Sequence, residues 1–178
     1  SASSARRGRR RPARSGRPRP APCPVTAQST PYHLYVCDAK PSGTNGGSTT
    51  GGAWQTRDLN TIKVNRINAT LANNRITLPA GRYYIRAKVP AYSVNMVKAA
   101  LYNYTTATYV MYGPPYFLHG GYSGFDLVEV EGEFTLDGTS ELELRMYPQT
   151  SVANTGLGYP ASISGVVEKY SEAMIWKM

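Results

Sequence analysis

The sequence predicts an all-β fold, a single eight-stranded antiparallel jelly-roll sandwich with a disordered basic N-terminal arm. Three observations predict it. No segment longer than about ten residues carries a 3.6-residue apolar period, whereas Val, Ile, Thr and Tyr recur with period 2. Turns containing Gly or Pro fall about every 8–12 residues and divide the chain into roughly seven to nine strands. The charge is also segregated: residues 1–24 hold eight Arg and no Lys, Asp or Glu, so of the net +9 only +1 belongs to residues 25–178.

The arm, residues 1–24, carries Arg6, Arg7, Arg9, Arg10, Arg11, Arg14, Arg17 and Arg19. It has no residue able to anchor a core, and Pro12, Pro18, Pro20, Pro22 and Pro24 exclude a regular helix. Disorder in the free chain is therefore expected. A guanidinium offers phosphate a planar fork of donors, and counterion release drives the association. The expected partner is a polyanion, genomic RNA or ssDNA, bound at these eight arginines. No aromatic interleaves them, so binding should be sequence-tolerant and salt-sensitive. The run Arg6–Arg11 would serve nuclear import equally well.

Residues 25–52 read as one short strand, Tyr32-His33-Leu34-Tyr35-Val36, followed by a Gly/Ser/Thr-rich linker from Lys40 to Gly52. The jelly-roll domain is expected over residues 53–178, starting near Ala53. Arg57–Val64 alternates with one departure, which predicts a bulge or bend. Ile76–Leu78 is a short strand ended by the turn Pro79-Ala80-Gly81. In the next strand Tyr83, Ile85, Ala87 and Val89 face one way, and Arg82, Tyr84, Arg86 and Lys88 the other. Val97–Tyr104 and Thr108–Tyr112 follow, broken at Thr105-Thr106-Ala107. In Leu127–Leu136, Val128, Val130 and Phe134 point inward and Glu129, Glu131 and Glu133 outward. Asp137-Gly138-Thr139 then predicts a hairpin to Glu141–Met146. Ile163–Trp176 is the last strand.

On that hairpin Glu129, Glu131 and Glu133 would face Glu141 and Glu143, and stacked carboxylates repel. Solvent, basic residues of a neighbouring subunit (Arg82, Arg86, Lys88) or a structural Ca2+ would relieve them. The metal candidates are Asp126, Glu129, Glu131 and Glu133, with Asp137 also bordering the face; a solvated or salt-bridged face is preferred, and no cofactor is required. His33 and His119 stand in no zinc spacing, and nothing resembles a nucleophile–base set or a phosphate loop. No enzyme is expected. Cys23 and Cys37 are expected as free thiols, although a bridge between them remains open. No apolar run approaches the ~18–20 residues that cross a bilayer, and no secretory signal is visible. A cytosolic product without membrane contact is expected, and the sequons at Asn68 and Asn103 are then chance matches. Tyr92, Tyr102, Tyr104, Tyr109, Tyr112, Tyr116 and Tyr122 crowd the middle of the chain; such amphipathic rings suit interfaces.

The segment Ile76-Thr77-Leu78-Pro79-Ala80-Gly81-Arg82-Tyr83-Tyr84-Ile85 resembles the strand entry of tumour-necrosis-factor-like and complement-type jelly rolls. There the Tyr after the Pro-x-Gly turn packs at the trimer axis or in the core. Glu172–Trp176 resembles their closing strand, in which an aromatic ends the core. Trp54–Thr61 and Gly132–Thr139 resemble jelly rolls encoded in phage and virus genomes. The resemblance covers residues 53–178 and implies a jelly roll that trimerises. An Arg-rich arm before one jelly roll resembles small icosahedral coat proteins. The function expected is thus a capsid protein that packages a single-stranded genome, located in the virion and in host cytoplasm or nucleus during assembly. Sixty copies would bring roughly 480 arm charges, enough for about half of a thousand-nucleotide, satellite-sized genome. The alternatives are a trimeric binding module, as in a phage fibre head or a ligand, and a nucleic-acid chaperone that forms no shell.

Overall fold

The structure, a computed structural model, describes residues 32–117 and 124–178. The eight arm arginines, Cys23, His119 and Tyr122 lie outside the described residues. Among these residues there are only strands and loops. In chain order the strands are β1 (His33–Lys40), β2 (Gln55–Thr56), β3 (Thr61–Asn65), β4 (Thr70–Ala72), β5 (Arg75–Leu78) and β6 (Gly81–Tyr92). They continue with β7 (Met96–Asn103), β8 (Thr108–Tyr112), β9 (Tyr116–Phe117), β10 (Phe125–Leu136), β11 (Ser140–Pro148) and β12 (Glu168–Lys177).

Alternation sorts these strands into two antiparallel sheets packed face to face. The first runs β10-β6-β12-β1-β3 and the second β4-β5-β11-β7-β8, with β2 added to β11 and β9 to β7. The eight jelly-roll strands are β1, β5, β6, β7, β8, β10, β11 and β12, four to a sheet. Leu34, Val36, Ile85, Val89, Val128, Val130 and Ile175 of the first sheet meet Ile76, Leu78, Leu101, Leu142, Leu144 and Met146 of the second. Burial of each large aliphatic contributes roughly 1.5–3 kcal/mol, so the core outweighs any single surface contact.

Tyr83 shows how local sequence feeds this core. It is fully buried, stacks on Phe134 with centroids 5.5 Å apart, and donates its hydroxyl to Pro79 O at 2.9 Å. A Cβ on Gly81, whose φ is +156°, would press on the Tyr83 ring at 3.3 Å. The Pro-x-Gly turn therefore folds back under its own tyrosine, in the core. β3 carries a bulge, though not at the break in alternation between Leu59 and Ile62: Tyr35 and Val36 pair with Val64 and Ile62, which leaves Lys63 as the extra residue.

Four expectations are corrected. The compact body begins at β1 rather than near Ala53, because β1 pairs with both β12 and β3. The Lys40–Gly52 stretch is not a free linker: Gly46 N donates to Gly158 O, Gly47 N to Asn154 O, and Thr49 bridges Val152. The last strand starts at Glu168, and Ile163, Val166 and Val167 precede it in an exposed turn. The predicted hairpin after Leu136 does not form. β10 pairs with β6, β11 pairs with β5 and β7, and the Asp137-Gly138-Thr139 turn crosses from one sheet to the other.

Candidate functional site

That crossing separates the glutamates. Glu129, Glu131 and Glu133 lie on the outer face of the first sheet, and Glu141 and Glu143 belong to the second. The five carboxylates never stack, so the expected repulsion is absent. Relief comes from the same chain: Arg82 reaches Glu133 at 2.5 Å, Arg86 lies 3.7 and 3.9 Å from Glu129 and Glu131, and the Tyr84 hydroxyl donates to Glu131. Asp126 points the other way, into the sandwich, where burial pushes its carboxyl up and Oδ2 finds no partner among the described residues. The four metal candidates thus divide between opposite faces of β10. Among the described residues no group of three or more His, Cys, Asp or Glu is placed to hold a metal.

Register builds the rest of the first sheet's outer face. One row runs Glu133–Tyr84–Trp176–His33 and the next Glu131–Arg86–Met174–Tyr35–Val64. Trp176 stacks on His33 at 6.2 Å and leans on Tyr84 at 5.9 Å. It therefore faces outward, while its neighbour Ile175 fills the core; an aromatic closing the core at this position is not what the fold makes. Glu172 sits below Met174. Burial works to raise its carboxyl, but hydrogen bonds from Lys169 (2.7 Å) and the Tyr35 hydroxyl (2.7 Å) outweigh it and hold the group low. The face thus carries an apolar and aromatic centre on β12 and β1, with a basic column on β6 to one side of it and an acidic column on β10 beyond that, at the sheet edge.

The second sheet's outer face carries a different surface. Trp54, in the loop before β2, touches Tyr109, Tyr147 and Tyr112 with centroids 5.0, 5.6 and 6.0 Å away. Tyr109 in turn meets Tyr102 at 4.9 Å and Tyr112 at 5.1 Å. Beside them Glu143, 3% exposed, accepts from Arg75 (2.9 Å), Arg145 (2.7 Å) and Thr56 (2.9 Å). Burial alone would raise this carboxyl, and the three donors hold it below its ordinary range. The anchored guanidinia then lie flat on rings, Arg75 over Tyr104 at 3.2 Å and Arg145 over Tyr102 at 3.4 Å. The crowding of Tyr in mid-sequence pointed to this region, but Trp54, Tyr147 and Glu143 come from segments far apart in the chain.

No protein-family model and no curated protein matches the sequence. Solved structures match the fold. Eiger TNF from S. frugiperda aligns with a TM-score of 0.55 at 11% identity, over 84% of this chain and 94% of that one. Murine APRIL aligns with a TM-score of 0.48 at 8% identity, over 82% and 98%. The fold is a tumour-necrosis-factor-like jelly roll.

Proposed function

We propose that the chain is the subunit of a homo-oligomeric binding module, a trimer that associates through the outer face of the β10-β6-β12-β1-β3 sheet. The observation that carries this reading is the Tyr84–Trp176–His33 row with Met174 and Tyr35 beside it. A face meant only for water has no use for that apolar centre. The charged columns beside that centre suit self-recognition where their pairing within the chain is loose, since a rotated copy can compete for the same Arg and Glu side chains. The long Arg86 contacts leave charge available for a partner. The count of three follows the likeness of Ile76–Ile85 to the family's strand entry. No catalytic activity and no cofactor are assigned.

The arm favours a second reading. Eight arginines in 24 residues suit a shell subunit that packages RNA or single-stranded DNA, sixty copies to a particle. Such a protein would reside in the virion and pass through host cytoplasm or nucleus. Negative-stain images of the full chain, and of a chain lacking residues 1–24, separate the two. Isolated three-lobed particles without nuclease-protected nucleic acid support the binding module. Uniform closed particles, whose protected nucleic acid is lost with the arm, support the shell.

A further inference from the structure

The outer face of the second sheet makes no contribution to self-association in this reading, yet it is built with care. Its rings are not flush. Trp54 meets Tyr112 at 43° and Tyr147 at 64°, so the aromatics present mutually inclined ring faces, the platform here called the trough. Tyr112 is 54% exposed and Tyr147 38%. Beyond Tyr147 the trough opens into a depression of about 210 Å³ lined by Met96, Val97, Lys98, Pro115, Tyr147 and Gln149. That is smaller than the ~300 Å³ at which pockets for drug-sized ligands begin, and it suits one ring rather than a folded ligand.

Lys98 stands where trough and depression meet. It pairs across the sheet with Tyr147, and its ammonium lies 5.1 Å from the Tyr112 ring centre. Arg75 and Arg145 beside it are committed to Glu143, but Lys98 has no carboxylate partner among the described residues. A ligand for this surface needs an apolar face to lie on the tilted rings and the apolar depression, hydroxyls to meet the phenols of Tyr112 and Tyr147, and an anionic group for Lys98. A nucleobase fits less well: bases stack between parallel rings, and a strand of phosphates needs a line of cations rather than one.

We infer that the Trp54–Tyr112–Tyr147 trough with Lys98 binds a pyranose that carries a carboxylate, within a glycan. The inference rests on the reading of the chain as a binding module and names its ligand class; it does not depend on the copy number. Amphipathic rings held in place by packing offer contact area at little entropic cost, and Lys98 supplies the charge selection.

The test is titration calorimetry of the full chain with three probes: 3′-sialyllactose, tetragalacturonate and neutral lactose. Binding of one or both acidic probes, with lactose at least about tenfold weaker, is expected. The first two arms distinguish a sialic acid from a uronic acid. Lys98→Gln should abolish the preference for the acidic probe. Tyr112→Ala, at an exposed position, should weaken binding by about tenfold or more without loss of the folded β signal. No heat with either acidic probe, equal binding of lactose, or an unchanged affinity in Lys98→Gln would overturn the proposal. So would dissociation of the assembly in Tyr112→Ala, which would make the trough a self-contact. Sedimentation of the same samples keeps the two readings apart. A monomer that still binds the acidic probe in a Lys98-dependent way sinks the trimer and leaves this site standing.

Discussion

Arg57 Nε donates to Ser171 Oγ at 2.7 Å in a region sealed from solvent. The same guanidinium donates to Leu157 O at 2.6 Å and to Met146 Sδ at 3.1 Å, so one side chain ties β12, β11 and the loop at Leu157 together. Burial brings its pKa down to about 10, against the opposing pull of Asp38 and Asp58, and it stays charged at neutral pH. Arg57→Met should cost about 2–4 kcal/mol, and Ser171→Ala about 1–2 kcal/mol. Arg57→Lys should not rescue, because an ammonium cannot reach three separated acceptors. Urea midpoints check all three.

The two glutamate groups should respond unequally. Glu131→Gln removes a half-exposed carboxylate 3.9 Å from Arg86 and should change stability by less than about 1 kcal/mol. Glu143→Gln weakens the anchor of both Arg75 and Arg145, and should cost about 1–3 kcal/mol. Equal effects, measured by urea unfolding, would mean that the two carboxylates are not held as described.

Acid should unfold the domain through identifiable carboxylates. Glu143 and Glu172 are held low against burial by their donors, and Glu168 by the backbone N–H groups of Gly43, Ala161 and Ser162. Each folded pKa lies below the ordinary 4.5. The stability these groups supply is complete above that value and is lost as pH falls through the folded values. Asp38 and Asp126 act oppositely: burial raises both, so their contribution fades as pH climbs through the raised values. Thermal midpoints should therefore fall below about pH 4.5, less steeply in Glu168→Gln, and Asp126→Asn should raise the midpoint at pH 7.

Glycine positions give a sharp contrast. A Cβ on Gly113 would lie 2.0 Å from Glu129 O, and one on Gly158, at φ +145°, 2.2 Å from the Tyr170 ring. A Cβ on Gly138 meets nothing within 4 Å. Gly113→Ala and Gly158→Ala should each cost more than about 2 kcal/mol, and Gly138→Ala should stay within about 0.5 kcal/mol. Thermal melts of the three variants check this.

The strands were legible because their alternation is local. Tyr83, Ile85, Ala87 and Val89 read as one inward face, and all four are buried. The choice of partner was not legible: Asp137-Gly138-Thr139 looks the same whether the chain returns along β10 or crosses to the other sheet. Parity also fails where both faces are apolar. Ala173 and Ile175 point in while Met174 and Trp176 point out, and nothing in that stretch says which pair is which. The β1 strand looked isolated because the pinned 40–52 loop is polar, and its hydrogen bonds to residues beyond 150 leave no mark in composition. The aromatic cluster was half visible, in Tyr102, Tyr109 and Tyr112; Trp54 and Tyr147, which complete the trough, come from sequence-distant segments.

Self-association through the face centred on Met174 can be tested by sedimentation equilibrium of the full chain and its Met174→Arg variant. The wild-type mass should be about three times the 19.4 kDa chain, and the variant should be monomeric with an unchanged β spectrum. A wild-type monomer, or a variant that keeps the wild-type mass, would contradict it.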